Sequence, residues 1–165
     1  MMAKTTPLKL LGNTQVYGAT FEIGTKDFPR QGIRNTFVST RQVADFEAAL
    51  EPGTRMLYLE SPSNPLISVL DLAAVIAMAR AKCGADLIVA VDNTFATPFN
   101  TNPLALGADV VVHAATKFLN GHSDVQVIVS LFVSLYCLLC AYMICCRAAR
   151  VSVRVHCGEE FGYLI

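Results

Sequence analysis

The chain has 165 residues, enough for one domain with a sizeable core and too few for two ordinary ones. Lys+Arg and Asp+Glu both number 13, so there is no net field to gather nucleic-acid phosphates or an anionic membrane surface, and no nucleic-acid partner is expected. Hydrophobic residues reach 53% against 16% charged, and much of that excess lies in residues 127–146, VIVSLFVSLYCLLCAYMICC, which hold no charge, Gly or Pro.

The first 13 residues, with two lysines and no apolar run of the ~7–15 residues a secretory signal needs, are expected to carry little structure. A body over 14–126 follows, expected to be cytoplasmic, in which short β-rich runs alternate with helical ones. That is the pattern of a mainly parallel sheet with flanking helices. Strands are predicted at Asn35–Val38, Met56–Glu60, Leu87–Val91 and Val110–Val112. Thr40 is positioned to cap a helix whose Val43, Phe46 and Leu50 share a face, ended by Pro52-Gly53. Asp71 is positioned to cap another, with Leu72, Val75, Ile76 and Ala79 as its apolar stripe and Gly84 at its C-terminal end.

The run Leu87–Val91 does not alternate, as expected of a strand covered on both faces, and a short helix near Pro103–Leu106 allows a tight crossover to Val110–Val112. If the two strands are parallel in one sheet, Asp92-Asn93-Thr94 and His113–Lys117 share its carboxyl edge, where open α/β sheets place their ligands. Taken alone, Asp92 is a turn former and Lys117 a solvated charge. Together they are the carboxylate and the amine that pyridoxal phosphate requires: one keeps the pyridine nitrogen protonated, the other forms the Schiff base. Burial near a cationic ring also lowers a lysine's pKa, which frees its amine to act as nucleophile and base.

Four strings, YGATF from Tyr17, ESPSNP from Glu60, VDNTFATP from Val91 and GADVVVHAATKFLNGHSDV from Gly107, resemble in order and spacing the Cys/Met metabolism (transsulfuration) family of PLP-dependent enzymes. The resemblance runs from about Thr14 to Val125. It implies a partial large domain of the aspartate-aminotransferase-like fold and descent from a C–S lyase or γ-replacement enzyme acting on a sulfur amino acid. It also implies pyridoxal 5'-phosphate as cofactor and a homo-oligomer whose active sites are shared between subunits. By the same resemblance Lys117 is the Schiff-base lysine and the carrier of the α-proton, Asp92 the partner of the pyridinium nitrogen, and Tyr17 the stacking ring whose hydroxyl assists the leaving group. Asn64 bonds the ring hydroxyl oxygen, and Thr116 offers its hydroxyl to the phosphate. Glu60 is read as a hydrogen-bond acceptor behind the site.

The sequence departs from the family at Ala114, where a serine hydroxyl is usual. The family's phosphate loop precedes the stacking tyrosine by more residues than stand before Tyr17, and its substrate-carboxylate Arg has no counterpart, so the chain is expected to be incomplete. A noncatalytic piece that joins a full-length relative is therefore an alternative.

His113 and His122 lack metal-ligand spacing, and no metal is expected. Cys137-Leu-Leu-Cys140 has the spacing of a redox or zinc pair without the companions either needs. Residues 127–165 are expected to lie outside the family match. As a helix, 127–146 would span ~30 Å, so a membrane anchor is a further alternative; it is disfavoured because Arg147, Arg150 and Arg154 follow the run with no basic cluster before it.

Overall fold

The computed structural model describes residues 9–13, 15–39, 41–122 and 128–132. Among these residues six strands form one sheet in the order β2-β1-β3-β4-β5-β6. They are β1 Lys9–Asn13, β2 Arg34–Val38, β3 Thr54–Glu60, β4 Ile88–Asp92, β5 Val110–Ala114 and β6 Ile128–Phe132. The first five are mutually parallel and β6 runs antiparallel to β5. The α/β class and the parallel sheet are as the alternation predicts.

At both ends the sheet outruns the expected body of 14–126. The segment expected to carry little structure supplies β1, which lies inside the sheet between β2 and β3. Its sequence, KLLGN, has no alternation to announce it; the neighbours' backbones, not local pattern, specify this strand. Gly12 belongs there because a Cβ would stand 3.3 Å from the Tyr58 carbonyl oxygen and 3.6 Å from the Phe37 ring. At the other end, β6 takes up residues from the start of the apolar run. No helix among the described residues is long and apolar enough to cross a membrane. Cys137, Cys140 and the rest of the run lie outside those residues.

Helices α3 (Val43–Ala49) and α4 (Leu72–Cys83) cover one face. Phe46, Leu50, Val75, Ile76 and Ala79 meet Leu57, Leu59, Val89 and Val91 there, all nearly or fully buried. Each large side chain so buried contributes roughly 1.5–3 kcal/mol of transfer free energy. Asp71 caps α4 as expected, its Oδ1 accepting the Ala74 N–H at 2.9 Å, and Gly84 ends it at φ +74°. α3 starts at Val43 behind Gln42, whose own side chain makes no cap bond, and Thr40, the expected cap, lies outside the described residues. Pro103–Gly107 makes successive turns rather than the expected helix, bonding Leu106 to Pro103 and Gly107 to Leu104, while a short helix α5 forms at Thr97–Asn100.

The opposite face carries Ala90, Val110 and Val112 with Tyr58 and Ile88 packed beside them. Helix α1 (Gly18–Glu22), a π-helical turn at Ile23–Asp27 and α2 (Phe28–Arg30) run between β1 and β2 in sequence. Phe21 packs on Phe37 of β2 with ring centroids 4.8 Å apart. The middle residues of β4 and β5 are buried on both faces of the sheet, in keeping with their lack of alternation.

Candidate functional site

Parallel strands end together. Glu60 closes β3, Asp92 closes β4, and the register pairs Glu60 with Asp92 and Asp92 with Val112. Because side chains alternate along a strand, Tyr58, Glu60 and Asp92 share a face, the one opposite α3 and α4. Asp92 Oδ1 accepts the Thr94 N–H at 3.0 Å and the Thr94 hydroxyl at 2.5 Å; Oδ2 accepts the Tyr58 hydroxyl at 3.2 Å. The same Thr94 hydroxyl oxygen accepts the Ala114 N–H at 2.8 Å.

Lys117 follows β5 directly, in turns from Ala115 to Asn120 held by Lys117 N–H to Ala114 O at 3.0 Å and Gly121 N–H to Lys117 O at 2.9 Å. It is exposed, and its amine has no partner among the described residues. Asp92 and Lys117 therefore lie at one end of the sheet, linked by Thr94 and Ala114. Thr116, half-buried beside Lys117, also keeps its hydroxyl without a partner among the described residues.

Tyr17 stands before α1 with its side chain 55% exposed, and its backbone N–H donates to Glu60 Oε2 at 2.8 Å. Asn64, in the Ser-Asn-Pro turn, gives its backbone N–H to Glu60 Oε1, also at 2.8 Å. One buried carboxylate thus fixes two segments expected to face the cofactor. Burial raises the Glu60 carboxyl to about 7 against the two N–H donors, which pull it down, and the Asp92 charge adds to the rise. The loop beyond β3 is pinned by hydroxyls: Ser61 Oγ accepts the Leu70 N–H at 3.0 Å and Ser63 Oγ the Ser68 N–H at 3.1 Å.

Tyr58 and Thr94, to which the sequence pattern assigns no role of their own, are the two residues that hold Asp92. Tyr58 is one β-former within RMLYLE, and only the register shows which polar group its hydroxyl meets. Burial, then the charges of Asp92 and Glu60, raise its phenol well above the ordinary value, so it stays a donor. Asn93 and His113, next to Asp92 and Ala114, are buried. Asn93 Nδ2 bonds Thr101 O at 2.9 Å, while Asn93 Oδ1 and His113 Nδ1 have no partner among the described residues. Burial lowers the His113 pKa, partly opposed by Asp92. His122 Nδ1 meets Asn120 O at 2.6 Å, and no cluster of metal-ligating side chains occurs among the described residues.

This donor set suits pyridoxal phosphate. A carboxylate accepts about four hydrogen bonds, and Asp92 receives three, with Oδ2 retaining an open lone pair. An exposed phenol ring, an unpaired amine and an amide are brought to the same edge. Ala114 adds no hydroxyl.

A family model described as Cys/Met metabolism PLP-dependent enzyme matches residues 3–133, farther in both directions than the motifs indicate. The chain is 49% identical over 110 residues to a cystathionine gamma-lyase of Bacillus subtilis (strain 168), which covers 67% of this chain and 28% of the relative. It is 45% identical over 117 residues to an L-methionine gamma-lyase of Pseudomonas deceptionensis, covering 71% and 29%. The crystal structure of cystathionine gamma-lyase from Lactobacillus plantarum complexed with L-serine matches with a TM-score of 0.67 at 42% identity, over 72% of this chain and 30% of that one. The chain thus spans a little over a quarter of the length of the curated relatives it matches.

Proposed function

Because this chain belongs to the Cys/Met metabolism family of PLP-dependent enzymes, we propose that it forms the cofactor-holding edge of a C–S lyase or γ-replacement enzyme of sulfur amino-acid metabolism. The supporting observation is that Asp92 and Lys117 lie at one carboxyl edge, joined through Thr94 and Ala114. When bound, pyridoxal phosphate supplies an electron sink for the bond broken at the substrate α-carbon.

The chain's own residues would do the rest. Asp92 keeps a proton on the ring nitrogen. Lys117 holds the cofactor covalently through its amine and afterwards carries the substrate's α-proton. Its exposed position lets that amine swing between the two tasks. Tyr17 stacks on the ring and hands a proton to the departing sulfur; Asn64 donates to the ring hydroxyl oxygen and Thr116 to the phosphate. Glu60 is placed to set the Tyr17 ring and the Asn64 amide against the same ligand.

The names of the relatives support a sulfur amino acid as substrate. Exposed Leu66, Ile67, Val69 and Phe118 favour an apolar partner surface beside the site, in keeping with assembly with copies of this chain or with a longer relative. The test is to add pyridoxal phosphate, follow the Schiff-base absorbance, then reduce with borohydride and locate the label by peptide mass. A pyridoxyl mass on Lys117, lost in Lys117→Ala, is the expected result. A label equally distributed over other lysines, or none, overturns the reading.

A further inference from the structure

We infer that Tyr58 is a positioning residue that orients Asp92, so that the remaining lone pair of Oδ2 is the one offered to a cationic ring N–H. This rests on the proposed function. Thr94 occupies both lone pairs of Oδ1 through its N–H and its hydroxyl, which leaves Oδ2 as the only oxygen of Asp92 able to receive another donor. Tyr58 takes one lone pair of Oδ2 at 3.2 Å and so fixes the direction of the other. Without that hydroxyl Oδ2 would have two open lone pairs and the carboxylate one fewer tether against rotation.

Tyr58 is itself held. It stands in the middle of β3, two residues before Glu60 and paired in register with Ala90, so Asp92 lies diagonally ahead of it on the same face. A chain of hydrogen bonds therefore crosses the edge from Tyr58 through Asp92 and Thr94 to the Ala114 N–H. Ala114 is three residues from Lys117. The segment that carries Lys117 is thus tied to the Asp92 carboxylate, and Tyr58 holds that carboxylate from β3. Tyr58 touches no reacting atom; it acts through Asp92.

The test is a double-mutant cycle in the full chain with Tyr58→Phe, which removes only the hydroxyl, and Asp92→Ala, or Asp92→Asn if the alanine variant does not fold. Urea unfolding without cofactor reports the contact. Tyr58→Phe is expected to lower stability in the presence of Asp92 and to change it little in its absence; additive effects overturn the contact.

Titration with pyridoxal phosphate reports the positioning. Tyr58→Phe is expected to weaken binding about 5- to 10-fold and to move the pH dependence of the bound cofactor's absorbance band, with neither effect on the Asp92-substituted background. Equal affinity and an unmoved band in Tyr58→Phe overturn the role. If the wild-type chain binds no cofactor, the proposed function and this role fall together, and non-additive unfolding would still leave the Tyr58–Asp92 contact standing. The two failures are distinguishable.

Discussion

The buried carboxylate of Glu60 accepts the backbone N–H of Tyr17 from 43 positions earlier in the chain, at 2.8 Å, and the N–H of Asn64 with its other oxygen. Burial nevertheless raises its pKa to about 7, above the ordinary 4.5. A carboxyl whose pKa is higher in the folded chain binds more protons there than when unfolded, so its contribution to stability falls as pH rises from about 4.5 through about 7.

The first prediction is therefore a negative slope of stability with pH in this window from Glu60. The full shift corresponds to about 3 kcal/mol, and solvent screening at the sheet edge brings it nearer 1–2 kcal/mol. Glu60→Gln cannot titrate and removes the slope. His113 then dominates with the opposite sign: its folded pKa is lowered from 6.5, so it prefers to be neutral in the fold and stability falls as pH drops below that value. Urea unfolding of both proteins at pH 5, 6, 7 and 8 checks this, and an unchanged slope in Glu60→Gln sinks it.

The far end of β4 depends on an ion pair remote from the site. Asp109 Oδ2 accepts Arg80 Nη2 and the Val89 N–H at 2.5 and 2.6 Å, while Arg80 also donates to the Leu87 and Gly107 carbonyls. With both side chains only partly exposed, this is a bridge between α4, β4 and β5 rather than a free surface pair. Asp109→Ala orphans a strand N–H and takes from the Arg80 guanidinium its carboxylate partner, and is expected to cost about 1–3 kcal/mol in chemical unfolding. A loss below ~0.5 kcal/mol would place the pair among ordinary surface salt bridges.

The strongly patterned elements were legible in the sequence because several local signals agreed: in α4 the Asp71 cap, the Leu72-Val75-Ile76-Ala79 stripe and Gly84 all point to one helix. β1 was not legible. Two leucines before a glycine make no period, and only a sheet already built on either side specifies that strand. At the site, Asp92 and Lys117 could be brought to one edge by counting strands. Tyr58 and Thr94 could not be assigned to Asp92 that way, since a hydroxyl's partner depends on cross-strand register and on a turn just two residues long. The double role of Glu60 likewise depends on Tyr17 and Asn64 arriving from opposite sides in sequence.

The last prediction separates scaffold from site with two aspartates that each hold a backbone N–H two or three residues ahead. Asp71 Oδ1 accepts the Ala74 N–H at 2.9 Å at the start of α4, on the face of the sheet away from Asp92. Asp92 Oδ1 accepts the Thr94 N–H at 3.0 Å on the opposite face. Asp71→Ala loses a helix cap, which costs roughly 1 kcal/mol, and α4 packs on Leu57, Leu59, Val89 and Val91 rather than on Tyr58 or Asp92. It should lower the urea midpoint and leave the pyridoxal phosphate dissociation constant unchanged. Asp92→Ala should instead weaken cofactor binding at least tenfold, as expected when a charge-assisted hydrogen bond of about 1.5–3 kcal/mol is removed. Parallel titrations and unfolding curves of the two variants decide it: if Asp71→Ala weakens cofactor binding as much as Asp92→Ala does, Asp92 contributes only to folding and holds no ring nitrogen.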